Sequence, residues 1–198
     1  MANADLANGF RVVQSNYGGT PGRLTEYPIG TGYGTSIGDG DLVSLNASGV
    51  LILCTASTQP IGVFKGVRYI ASDGSVIFRR NWIASTAEKS GTTIYGLVDD
   101  DPGALYEVQC DSDLGTTPQI HVGQLANLVP STVDANGGST MSVVTGASET
   151  QFQIMKVILG KPIVNAAGNQ DVTTTGTNCW VYVRPLTHQR GANAGTEI

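Results

Sequence analysis

Between Ile37 and Trp82 the chain alternates short apolar runs with turn signals, and no helix of ordinary length fits between them. Four strands are expected there: Asp41 to Leu45, Val50 to Cys54, Ile61 to Ile70 and Val76 to Trp82. The first gap is Asn46-Ala47-Ser48-Gly49 and the third centres on Asp73-Gly74. Asp-Gly supplies the positive φ that a tight hairpin needs, because glycine has no Cβ to clash and aspartate tolerates that region better than most residues. Within the third strand, strict alternation puts Val63, Lys65, Val67 and Tyr69 on one face and Phe64, Gly66, Arg68 and Ile70 on the other. Gly62 and Gly66 inside this pattern are the residues expected at bulges, where a small sheet bends sharply enough to close. A compact antiparallel barrel or sandwich is the expectation.

The rest of the chain is consistent with that class. Thr92 to Val98 is expected to pair with Leu105 to Cys110 as a hairpin, with Asp99-Asp100-Asp101-Pro102-Gly103 as a solvated acidic tip. Met141 to Val144, Gln151 to Leu159 and Cys179 to Arg184 are further strands. His121 to Val129, with Val122, Leu125, Leu128 and Val129 at near three- and four-residue spacing, is the one helical expectation. Val164 to Thr177 is small and polar and reads as a surface loop, as does the run Tyr17 to Gly22. The chain therefore divides into an extended N-terminal arm over residues 1–24, one β-rich body over 25–189, and a flexible tail over 190–198. By base rate the arm is a frayed terminus, but Phe10-Arg11-Val12-Val13 is apolar enough to add a strand to another sheet edge.

Of 198 residues only 14% are charged, well below the quarter or so of an average domain, and Gly is the commonest turn former at 26. Low charge suits a β-rich structural protein whose surface is partly covered by other subunits. The net charge of -5 argues against a nucleic-acid partner held through phosphate neutralisation. Cys54, Cys110 and Cys179 are odd in number, far apart and set in apolar strands, which points to buried thiols and not to a disulfide framework or zinc site. The N-terminus lacks the basic and apolar regions of a secretory signal, and no stretch approaches a membrane span. A soluble protein made in the cytoplasm is the expectation.

Chemistry is not advertised. His121 and His188 have no spacing that brings them together, and no Gly-x-Ser-x-Gly elbow occurs. Gly30-Thr31-Gly32-Tyr33-Gly34 lacks the lysine and the following helix of a phosphate loop. A hydrolase would need a carboxylate pair that only folding assembles, for example Glu107 with one of Asp99 to Asp101. No catalytic residue, cofactor or metal is assigned, and the expectation is that the chain is not an enzyme.

Several blocks taken in order carry a resemblance. Met1-Ala2-Asn3-Ala4-Asp5 with Gly9-Phe10-Arg11, Gly40-Asp41-Leu42-Val43, Pro60-Ile61-Gly62-Val63-Phe64-Lys65-Gly66-Val67, and Val98-Asp99-Asp100-Asp101-Pro102 before Tyr106-Glu107-Val108-Gln109 together resemble structural proteins of tailed bacteriophages, namely the head decoration or cement proteins. The resemblance implies an all-β, mainly antiparallel fold: a β-tulip or small β-barrel body with an extended N-terminal arm and at most one or two short helices. It implies a homotrimer on the outer surface of the virion capsid, made in the host bacterial cytoplasm, that binds the major capsid protein and stabilises capsomer contacts against internal DNA pressure, with no nucleic acid or membrane as partner. A phage tail, baseplate or fibre component that recognises the host is the alternative. Phe10, Arg11, Val12, Arg79, Arg80 and Trp82 are the candidate capsid or subunit contacts, because large apolar groups and arginine are enriched at interface centres. Trp82 is equally well placed in a core. Removal of residues 1–23 is expected to leave a folded body with weaker shell binding.

Overall fold

The computed structural model of the chain describes residues 5, 7–15, 23–130, 133–146, 151–160, 162–164, 170–172 and 176–189. Its elements are β1 (Arg11–Ser15), β2 (Leu24–Ile29), β3 (Leu42–Leu45), β4 (Leu51–Leu53), β5 (Gly62–Ile70), β6 (Val76–Arg79), β7 (Ile94–Asp99), β8 (Ala104–Cys110), β9 (Leu125–Val129), β10 (Ser142–Thr145), β11 (Phe152–Ile158), β12 (Pro162–Val164), β13 (Gln170–Val172) and β14 (Cys179–Pro185). The protein is all-β, and the helical content of the described residues is one 3-10 turn at Pro118–His121.

The strands close into two small mixed barrels of five strands each. In the first, β3-β4-β2-β7-β5 forms a ring closed by β5 on β3, with β6 added to β5. In the second, β10-β9-β11-β14 is closed through β8, and β1 is added to β8. Both rings are antiparallel except at one parallel contact, β2 with β4 and β8 with β10.

The two barrels repeat one another in register. The parallel contact Ile29↔Leu51 corresponds to Cys110↔Val143. The antiparallel pair Thr25↔Val98 corresponds to Tyr106↔Val183, and Val43↔Leu53 corresponds to Thr145↔Ala126 read in the reverse sense. Even the bulge recurs: β5 steps between Phe64 and Gly66 against β7, and β11 steps between Ile154 and Lys156 against β14. Strand order, directions, bulge and closing register agree, so the chain is built from the same barrel twice. The β6 strand and the β12–β13 hairpin are insertions at the same point of the two units.

The bulge at Lys65 also changes which side chains share a face. Val63 and Phe64 precede it, and after it the alternation is shifted by one, so Phe64, Val67 and Tyr69 meet in the first core with Trp82 while Val63 turns to the second. The strict alternation expected from the sequence therefore fails at Phe64. Trp82 is fully buried, edge-on to Tyr69 at 6.0 Å and 87°, with its indole N–H donated to the Tyr33 carbonyl at 3.1 Å. In the second core Phe10 lies between Tyr106 and Phe152, with centroids at 5.9 and 5.4 Å.

The barrels are joined through a common core and backbone contacts. Leu42, Cys54 and Val63, from the first barrel, belong to the apolar cluster of the second. Asp39 N–H donates to the Gly137 carbonyl at 3.1 Å and Ser139 N–H to the Asp39 carbonyl at 3.0 Å. Gly38 is required there, since a Cβ would stand 2.8 Å from the Gly138 carbonyl carbon. Gln151, only 4% exposed, receives Leu128 N–H on Oε1 and donates Nε2 to the carbonyls of Thr55 and Thr58, each bond 2.8 Å long.

Four expectations are corrected. β7 does not pair with β8; it lies between β2 and β5, while β8 belongs to the other barrel. The acidic stretch is the crossing between barrels and not a solvated tip: Asp99 and Asp100 are 4% and 6% exposed, and Tyr27 donates its hydroxyl to Asp100 at 2.7 Å. The turn that follows, with Gly103 N–H on Asp101 Oδ1 at 2.8 Å and Ala104 N–H on the Asp101 carbonyl, redirects the chain and does not fold it back. His121 to Val129 is not a helix but a turn followed by β9, where Ala126 and Leu128 point into the core with period two. Part of the expected loop at Val164 to Thr177 is the β12–β13 hairpin, and the tail over 190–198 and the run Tyr17 to Gly22 lie outside the described residues.

Candidate functional site

Two surface features of the first barrel stand out, and both are built by strand pairing. One is the outer face of the sheet β6-β5-β7-β2. Register places Phe78, Arg68, Tyr95 and Pro28 in one row across it. Val76 and Ile70 form the neighbouring row on one side and Leu97 and Glu26 that on the other. Phe78 is 67% exposed, Val76 58% and Leu24 44%, so large apolar side chains face outward on strands whose inner residues already fill a core. Arg68 crosses the middle of the face, 4.9 Å above the Tyr95 ring and paired to both carboxylate oxygens of Glu26 at 3.1 and 2.8 Å. The Arg68 guanidinium holds the Glu26 carboxyl below its usual range. Outward-facing apolar surface of this kind marks a site of contact with a protein, a membrane or a ligand.

The second feature is a cleft of about 280 Å³ where the two barrels and the N-terminal segment meet. Arg11, Asp39, Lys65, Arg80, Asp134 and Ser139 line it. Asp39 sits between two cations, with Lys65 Nζ at 3.3 Å and an Arg80 Nη at 2.9 Å. Asp134 is committed to its own loop, accepting the N–H groups of Asn136 and Gly138 on Oδ1 at 2.8 and 2.7 Å. Beneath the cleft Asp41 is fully buried; burial pushes its carboxyl pKa up, opposed by the hydroxyl of Ser139 and the Gly38 N–H at 2.7 Å. The cleft offers fixed charge, with two cations held on Asp39.

The six sequence-derived candidates separate into two groups. Arg11 and Arg80 come together at the cleft, and Arg79 is exposed on β6 next to Phe78. Phe10 and Trp82 fill the two cores and offer no surface for a partner, and Val12 is half-buried against the second. Phe78, Val76 and Leu24 are the surface residues that sequence reading passes over. Phe78 and Val76 sit at alternate positions of a predicted strand, and the missing signal is that their register partners, Arg68 and Ile70, lie on the outer face.

The three cysteines and Tyr106 lie within the second core. All three cysteines are buried thiols outside any disulfide, and Cys110 and Cys179 are register partners across β8 and β14. Burial pushes the Cys110 thiol up to about 11 and raises Cys54 as well, which disfavours the reactive thiolate. Burial and the surrounding Asp99, Asp101 and Asp100 raise the Tyr106 hydroxyl pKa. Among the described residues no group of three or more His, Cys, Asp or Glu side chains is gathered as a metal site. Compared with protein-family models, curated proteins and solved structures, the chain matches none of them.

Proposed function

We propose that this chain is a structural protein of a bacteriophage virion, a decoration or cement protein that binds the outer surface of the icosahedral head through the major capsid protein and acts as a homotrimer. The observation that carries the reading is the exposed apolar face around Phe78, Val76 and Leu24, laid on a double barrel. The sequence blocks that resemble head decoration proteins give this face its partner. A shell filled with DNA pushes its capsomers apart, and a stiff body fixed across the joint raises the cost of separation. Three linked copies bind with high effective concentration, so each contact can be modest. In this reading the protein is not an enzyme and needs no cofactor; Phe78, Val76, Arg79 and Arg80 make the contacts, and its place is the outer capsid surface of a virion assembled in the bacterial cytoplasm.

The test mixes the purified protein with shells that lack it, sediments the shells and counts bound copies per shell subunit. Saturable binding at a fixed ratio, with greater resistance of the shells to heat, is the expected result. Phe78→Asp is expected to weaken binding at least about tenfold while leaving the fold intact, because the side chain is exposed and packs in neither core. Failure to bind mature shells, together with binding to bacterial cell-surface glycan, would assign the chain to the tail or baseplate instead.

A further inference from the structure

The repetition of the barrel sets a pair of thiols where the first unit has a pair of isoleucines. The register that matches Thr25↔Val98 with Tyr106↔Val183 also matches Ile29↔Ile94 with Cys110↔Cys179. Ile29 and Ile94 are buried together in the first core, and Cys110 and Cys179 are fully buried together in the second. Directly opposed residues of an antiparallel pair put their side chains on one face, with Cα atoms about 4.5–5.5 Å apart. A disulfide spans Cα atoms about 4.4–6.8 Å apart, so the backbone of an opposed pair already fits one. Cys54 shares the second core but comes from the first barrel, where its N–H donates to the Leu42 carbonyl at 2.9 Å and its Sγ lies 3.3 Å from the Thr58 hydroxyl.

We propose that Cys110 and Cys179 are the site of a reversible cross-strand disulfide that locks the second barrel, formed by exchange with an oxidising small-molecule disulfide. Cys110 is the last residue of β8 and Cys179 the first of β14, so the pair stands at the end of its ladder, next to the exposed Asp111. Fraying of a few residues there uncovers both thiols. One cysteine, as thiolate, attacks a sulfur of the small disulfide and displaces a small thiolate, leaving a mixed disulfide. The other loses its proton to solvent, attacks the protein sulfur of that bond and displaces the second small thiolate. Two cysteine S–H bonds and one S–S bond become one cross-strand S–S bond and two small thiols; the protein gives up two electrons and the small disulfide takes them. Burial, which pushes the Cys110 thiol up to about 11, slows the first attack and keeps the reduced pair inert while the ladder is closed. The bond leaves no orphaned acceptor where Cys179 gives up its proton. Its Sγ donates to the Gly176 carbonyl at 3.1 Å, and the same carbonyl accepts the Leu114 N–H at 3.1 Å. The second barrel closes through β8, held by β10 at Cys110 and by β14 over Tyr106 to Cys110. A bond at this point makes that closure covalent and ties β9 to β13 into one loop, which restricts the unfolded chain. It is a property of the chain alone and does not depend on what the chain binds.

The reduced full-length protein is held under native conditions with oxidised glutathione, its remaining thiols are alkylated in denaturant, and its peptides are mapped by mass spectrometry. A linked Cys110–Cys179 peptide with Cys54 alkylated is the expected result. The thermal midpoint should rise by roughly 10 °C on oxidation and fall back on reduction with dithiothreitol. Cys179→Ala, its fold checked against the reduced parent by circular dichroism, should gain nothing from the oxidant. Oxidation in urea is the control, because an unfolded chain closes the shorter Cys54–Cys110 loop at least as readily. Three alkylated thiols after oxidation, a glutathione adduct that is never displaced, or a bond to Cys54 under native conditions would overturn the proposal. So would a Cys110–Cys179 bond that forms only in urea or leaves the midpoint unchanged.

Discussion

Gln151 is the residue on which both barrels depend most directly. Its amide satisfies one buried N–H of β9 and two carbonyls of the 55–58 turn at the seam between barrels, where Thr55 is exposed and Thr58 half-buried. Gln151→Ala leaves those groups without partners, and a buried group deprived of its hydrogen bond costs about 1–3 kcal/mol. The expected loss is roughly 2–4 kcal/mol in urea unfolding, since some of the groups will recover a water. A loss below about 0.5 kcal/mol would show that the seam is wet. Asp41, in the same seam, gives a pH dependence. Burial, the largest effect, raises its folded pKa above the ordinary 3.8, with Asp39 adding to the rise. A carboxyl raised in the folded state stabilises fully below its unfolded pKa, and that stability is lost as pH rises through the folded value. Asp41→Asn, neutral at every pH, should therefore gain stability relative to the parent between pH 3 and pH 7, measured as the difference in urea midpoints. A constant difference across that range would rule out the carboxylate as the cause. Neither residue is conspicuous in the sequence, where Gln151 and Asp41 each read as one polar residue at the start of a strand; their weight comes from burial at a contact between units far apart in the chain.

At the level of elements, the sequence reveals the strands far better than their partners. Val76 to Arg79, Gly62 to Ile70 and Cys179 to Pro185 are legible because β-branched and aromatic residues run between turn signals such as Asp73-Gly74. The His121 to Val129 stretch misleads because Leu125 and Leu128 fit a helical spacing while Ala126, small enough to be overlooked, completes the period-two pattern with Leu128. The repeat of the barrel is hidden for a similar reason: pairing register preserves it, while side-chain identity survives in little more than Leu24-x-Glu26 and Leu105-x-Glu107. β1 is the element whose role changes most. Read as an arm, it is dispensable to the body; in the structure it carries Phe10 into the second core, pairs with β8, and is tied to the first barrel by the Phe10 N–H on the Gly40 carbonyl at 2.8 Å. Phe10→Ala should cost about 3–5 kcal/mol, the range for a buried aromatic truncated to alanine. Removal of residues 1–23 should cost more, giving a body with depressed midpoint and slow-exchanging amides lost over Ala104 to Glu107. A truncated chain as stable as the parent would return β1 to the status of an arm.

For the whole molecule, the question is whether two copies of one barrel behave as two domains. A repeated unit that folds alone would be expected to melt alone, giving two transitions or one broadened by their overlap. Here the units share atoms that neither can give up. Leu42, Cys54 and Val63 belong to strands or turns of the first barrel and pack in the core of the second; β1 precedes the first barrel in sequence and closes onto the second; and Gln189, beyond the last strand, returns to bond Leu45 through both its amide atoms at 2.6 and 2.9 Å. The chain thus runs from the second barrel to the first, back to the second, and at Gln189 returns to the first. Separating the units would expose that shared apolar surface at about 25 cal/mol per Å², a penalty that couples their unfolding. Calorimetry of the intact chain should give a single transition whose van't Hoff and calorimetric enthalpies agree. Residues 103–189 expressed alone, without β1, should lack the tertiary near-ultraviolet signal of Trp180 and Tyr106. Two resolved transitions, or a second barrel that folds by itself, would mean that the seam is a docking contact between independent domains, and a cement built that way would flex between its halves under the pressure it is proposed to resist.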